Sequence, residues 1–116
     1  MAQKYSIHIN KLERKVEIAV CGVMEERDAY AFLDEYIEKT SAIKTSKYML
    51  ELDSTEMDYL DDIPSQLLKE AYQLYKESDF EKIILIMKLL GNTMLNMQIM
   101  QLARESEFTQ FEVQMV

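Results

Sequence analysis

Residues 50–68 read Leu50-Glu51-Leu52-Asp53-Ser54-Thr55-Glu56-Met57-Asp58-Tyr59-Leu60-Asp61-Asp62-Ile63-Pro64-Ser65-Gln66-Leu67-Leu68. The apolar opening ends a strand that begins at Tyr48, the acidic middle reads as a loop, and a helix then starts abruptly near Ile63. Asp61 or Asp62 can cap that helix by accepting from its free backbone N–H groups. Pro64 suits its first turn, where the missing N–H costs nothing. The partial positive charge of a helix N-terminus favours negative groups at this place, which makes it the first candidate for a regulated contact.

Outward from this segment the chain alternates strands and helices. Toward the N-terminus, Tyr5–Ile9 and Lys15–Cys21 alternate apolar and polar residues, as half-buried strands do. The Asn10-Lys11 region begins a hairpin turn between them, and Gly22 closes the second strand. Glu26–Lys39 has helical spacing, with Ala29, Tyr30, Leu33, Tyr36 and Ile37 expected on one face. Residues 40–46 form a polar connector.

Toward the C-terminus, Ile63, Leu67, Ala71 and Tyr75 repeat every four residues, with Leu68 and Leu74 widening the stripe. Lys82–Met87 is an apolar run expected to be a strand covered on both faces. Gly91-Asn92-Thr93 opens a third helix whose Leu95, Ile99, Leu102 and Ala103 share a face, and Phe108–Val113 is read as a last strand. The order is ββαβαβαβ. It predicts an α/β domain spanning residues 1–116, with a mixed, mostly parallel sheet of about five strands and helices packed on it.

Composition narrows function. The 116 residues carry a net charge of −8, which disfavours nucleic acid and anionic membrane surfaces as partners. One cysteine, Cys21, excludes an internal disulfide and a cysteine zinc cluster; it is expected to be a small core residue in a cytoplasmic protein. Met1–Tyr5 lacks the apolar run of a signal peptide, and no segment approaches the roughly 20 apolar residues of a membrane span.

Few residues point to catalysis. His8, the one histidine, has no nucleophile at motif spacing and is read as structural. Two glycines cannot build a phosphate-binding loop. No enzyme activity and no cofactor are expected. The carboxylates Glu51, Asp53, Glu56, Asp58, Asp61 and Asp62 raise the question of a metal. A hard cation needs oxygen ligands that converge on one point, whereas these are strung along one segment. A solvated acidic rim, or a docking surface for a basic partner, is the preferred reading. Ser54, Thr55 and Ser65 stand nearby as possible phosphate acceptors. Met94, Met97 and Met100 are read first as core filling, with an adaptable interaction surface as the other use. Tyr30, Tyr36, Tyr72 and Tyr75 are expected to seal the core's edge with some hydroxyls in water.

This element order and the acidic segment resemble the STAS family, whose founding members are bacterial anti-sigma-factor antagonists. Members carry a pattern similar to Asp-Leu-Ser-x-Val-x-Phe-Ile-Asp-Ser-Ser-Gly-Leu where this chain has residues 53–65. Asp53, Thr55, Met57, Tyr59, Leu60 and Asp61 match by identity or type, whereas the phosphorylatable serine is replaced by Asp62, and the following Ser and Gly by Ile63 and Pro64. The resemblance implies a non-enzymatic interaction domain in transcription regulation. It docks a kinase-type anti-sigma factor or related regulator through residues 53–65 and the following helix, with Asp53, Thr55, Asp58, Asp61, Asp62 and Ser65 at the contact. A carboxylate carries one charge where a phosphate carries about 1.5 to 2, so Asp62 imitates the phosphorylated state partially and constitutively. On the resemblance alone, removing that charge strengthens docking. The alternative is a small-ligand-binding or sensory module of the same fold, using the cleft near the helix start. A metal-dependent phosphotransfer receiver is a further rival, opposed by the missing acid pair at the strand ends.

Overall fold

A computed structural model describes residues 4–108 and 111–116. The elements are β1 (Tyr5–Asn10), β2 (Lys15–Val23), α1 (Glu26–Ser41), a 3-10 turn at Thr45–Lys47, β3 (Met49–Tyr59), α2 (Ser65–Glu77), β4 (Lys82–Met87), α3 (Thr93–Glu105) and β5 (Phe111–Met115). The ββαβαβαβ order is as predicted. The strands form one sheet in sequential order, with β1 antiparallel to β2 and every later pair parallel. Successive crossovers of the same hand and direction place all their helices on one face.

Burial agrees with that placement. Alternate residues Tyr5, Ile7, Val16, Ile18, Leu50, Ile83, Leu85 and Met87 join one core with Phe32, Tyr36, Leu67, Tyr75, Leu95, Ile99 and Leu102 of the helices. The opposite face is laced with charge: Lys15 meets Glu51 at 3.0 Å and Lys82 meets Glu112 at 2.9 Å. The expected burial of β4 on both faces holds, with helices covering only one of them. Ile84 is buried on the helix-free face, flanked in register by Glu51 and Glu112.

Other readings shift in detail. The last strand starts at Phe111, and Phe108 before it is a core residue; Thr109 and Gln110, within the predicted strand, lie outside the described residues, as do Met1–Gln3 of the leader argument. The hairpin turn is where expected, with Asn10 Oδ1 accepting from the Glu13 amide at 3.1 Å. On α1 the buried face is Ala29, Phe32 and Tyr36, while Tyr30 and Ile37 are exposed. Cys21 is exposed rather than internal, and His8 is exposed on β1. Tyr36 and Tyr75 are buried. They belong to a chain of ring contacts running Tyr5–Phe32–Tyr36–Tyr75–Tyr72–Phe108–Phe111, from one edge strand to the other.

No helix among the described residues is long and apolar enough to cross a membrane.

Candidate functional site

The acidic segment is not a loop. It continues β3 beyond its pairing with β4, which stops at Asp53 opposite Ile86. From there β3 pairs with β2 alone: Cys21 lies opposite Glu56, Gly22 opposite Met57 and Val23 opposite Tyr59. Two register shifts place one extra β3 residue each between these pairs. Such bulges bend a strand and re-aim its side chains. Gly22 sits at the second bulge with φ +66°, a left-handed conformation that glycine adopts without penalty.

Of the six predicted site residues, Asp53, Thr55 and Asp58 lie on this part of β3, Asp61 and Asp62 in the turn after it, and Ser65 at the start of α2. Asp53 Oδ1 accepts from the Thr55 amide at 2.9 Å and from Thr55 Oγ1 at 2.7 Å, so the two stabilise the first bulge as a pair. Ser54 Oγ donates to the Ile86 carbonyl at 3.0 Å. Both hydroxyls are thus engaged, and Ser65, exposed at the first position of α2, is the one left accessible. Asp58, Asp61 and Asp62 are exposed.

The capping role is corrected. Pro64 is the N-cap of α2, its carbonyl accepting from Leu67 at 2.9 Å and Leu68 at 3.3 Å, and no side chain caps the helix. Asp61 and Asp62 lie in the turn before it, closed by the Ile63 amide donating to the Leu60 carbonyl at 3.0 Å. Proline at this position holds the chain extended, so the two aspartates stand too far upstream to reach the free amides.

Two contacts bring α3 to this segment. The Asn92 side chain caps α3, accepting from the Leu95 amide at 3.0 Å, and its amide donates to the Asp58 carbonyl. Gln98 Nε2 reaches Asp61 Oδ1 at 3.4 Å. Sequence reasoning did not find this neighbour. Met94, one helical turn before Gln98, is 72% exposed and Met97 is 67% exposed, so only Met100 supports the core-filling reading. Leu89 and Leu90, in the loop leading to Asn92, are also exposed, as is Tyr59. The result is a surface on which apolar side chains border carboxylates. Among the described residues, no ion pair neutralises Glu56, Asp58, Asp61 or Asp62, and no three His, Cys, Asp or Glu residues converge as a metal site.

Behind this surface, between the sheet and the helices, lies a mostly apolar cleft of about 90 Å³. Neither family models, curated proteins nor solved structures give a match to this chain.

Proposed function

We propose that this chain is a non-enzymatic, STAS-like protein-interaction domain that docks a regulatory partner through the end of β3, the start of α2 and the N-terminal half of α3. The observation that carries the reading is the juxtaposition of exposed Asp58, Asp61 and Asp62, which have no ion pair among the described residues, with exposed Met94, Met97 and Leu90. Large exposed apolar patches mark interaction sites. Methionine suits a surface that must adapt to its partner, and unpaired carboxylates select a partner with basic residues.

By resemblance the partner is a kinase-type anti-sigma factor or related regulator. With no ion pair to it among the described residues, the charge at residue 62 attracts a basic partner, which reverses the sign that the resemblance alone implies. Asp62 also removes the hydroxyl on which a serine switch depends, so the contact is constitutive.

The test is a titration of the isotope-labelled chain with a kinase-type anti-sigma factor, followed by amide shifts. Perturbations confined to residues 57–65 and 89–98 support the reading. A footprint on the helix-free sheet face, or no saturable change, contradicts it.

A further inference from the structure

A cleft lies over the middle of the sheet, lined by residues of α1 and α2. Val20 and Leu52 point to the helix side, in alternation with the wholly buried Val16 and Leu50, yet both are only half-buried. Leu52 sits in the central strand between Ile18 and Leu85, where a fully covered side chain is the rule. The space above it is the cleft of about 90 Å³. Leu33 of α1 and Ala71 of α2 wall it, and both are half-buried as well.

Tyr72 and Tyr75 complete the wall. Neither hydroxyl makes a hydrogen bond with a described residue. Tyr75 is only 5% exposed. No side-chain oxygen among the described residues is both sealed and unpartnered, so each hydroxyl keeps some accessible surface on a residue that lines the cleft. Burial raises the pKa of both phenols, which keeps them protonated donors at neutral pH. The polar rim is Asp53 and Ser54. No cationic side chain is among the described residues that line the cleft, and an ionised carboxylate is costly to bury without one.

We infer that the cleft over Leu52 is a binding site for a small uncharged molecule, with a short apolar body seated on Val20 and Leu52 and one acceptor oxygen held by the Tyr72 and Tyr75 hydroxyls. Size sets the class. A dry cavity of ~150 Å³ lined by aliphatic and aromatic residues accepts benzene; this cleft is smaller but partly open, so a ketone, aldehyde or ester of about six heavy atoms seats its body inside with its end at the opening. Buried polar donors left unpaired are costly, and a guest that satisfies them is selected over a bare hydrocarbon. The site does not depend on the docking surface.

The experiment titrates 2-pentanone, and butanoate as a charged probe of equal size, into the methyl-labelled full chain at pH 7. Expected are saturable shifts at the methyl groups of Val20, Leu33, Leu52 and Leu68 with the ketone, and at least tenfold weaker binding of butanoate. Leu52→Phe and Ala71→Leu, which fill the cleft from floor and wall, each abolish the shifts while retaining a cooperative thermal transition. Tyr72→Phe/Tyr75→Phe weakens the ketone at least threefold. Absence of saturable shifts, undiminished binding in either folded cleft-filling variant, butanoate binding as tightly as the ketone, or an unchanged affinity in the double tyrosine variant overturns the inference.

Discussion

Asn92 holds Asp58: its side-chain amide donates to the Asp58 carbonyl while its Oδ1 accepts from the Leu95 amide at 3.0 Å. One side chain therefore starts α3 and fastens that start to the acidic end of β3. Through it, residues distant in sequence become one surface.

The double role of Asn92 predicts separable effects. Asn92→Ala removes the cap and the tie together and should lower stability by about 1–2 kcal/mol. Asn92→Asp keeps a good capping acceptor but loses the donor to Asp58. If the tie contributes, Asn92→Asp is also destabilising, and urea unfolding of the two variants divides the loss between them.

The two faces of β4 should respond differently. Leu85 is wholly buried under the helices, and a lone carboxylate there costs several kcal/mol, so Leu85→Asp should not fold. Ile84 lies on the helix-free face between Glu51 and Glu112. Ile84→Lys can extend its charged end to water and should cost about 1–3 kcal/mol, within the usual range of single substitutions. Circular dichroism melts decide; equal outcomes would mean that a charged end at residue 84 has no path to water.

At the second bulge, a Cβ on Gly22 meets no atom within 4 Å. The cost of Gly22→Ala is then conformational alone, about 1–2 kcal/mol for a left-handed residue. Gly22→Asn should be milder, since asparagine tolerates that conformation. A neutral Gly22→Ala in chemical unfolding would contradict the positive φ.

Alkaline pH should destabilise the fold through its internal phenols. Burial raises Tyr36 to about 12, opposed in part by its 2.7 Å hydrogen bond with Ser78. Burial also raises Tyr72 and Tyr75. Between the unfolded value near 10 and the folded value, the unfolded chain releases protons that the native state retains. The stability contributed by these groups is thus complete below about pH 10 and is lost as pH rises through the folded values. Tyr36 alone should account for about 3 kcal/mol across that window. Melting temperatures from pH 8 to 12 should fall above pH 10, less steeply in Tyr36→Phe.

The sequence was legible where one period ran undisturbed. Lys82–Met87 and the Leu95, Ile99, Leu102, Ala103 face carried their burial in their spacing, and both stand as read. The α1 face was misjudged because Tyr30 and Ile37 are a self-consistent pair seven residues apart, one residue around the helix from the Ala29 and Tyr36 pair that packs inward with Phe32. β3 was cut short at Leu52 because aspartate and glutamate are poor strand formers and two bulges break the period of two. Of the candidate site, the aspartates were visible as an acidic run. Met94 and Met97 were visible only as an alternative interaction surface, and their place beside the aspartates, with Asn92 and Gln98, was not, since only the crossover from β4 through α3 brings them there.

The central claim is that the exposed carboxylates before α2 attract a basic partner. The direct measurement is the affinity for a kinase-type anti-sigma factor at two salt concentrations, comparing wild type, Asp61→Asn/Asp62→Asn, and Asp34→Asn/Glu38→Gln as a control on the exposed side of α1. The account predicts that the first variant binds about tenfold more weakly, about 1.4 kcal/mol, with a shallower salt dependence, while the control matches wild type. Equal or tighter binding by Asp61→Asn/Asp62→Asn would contradict it.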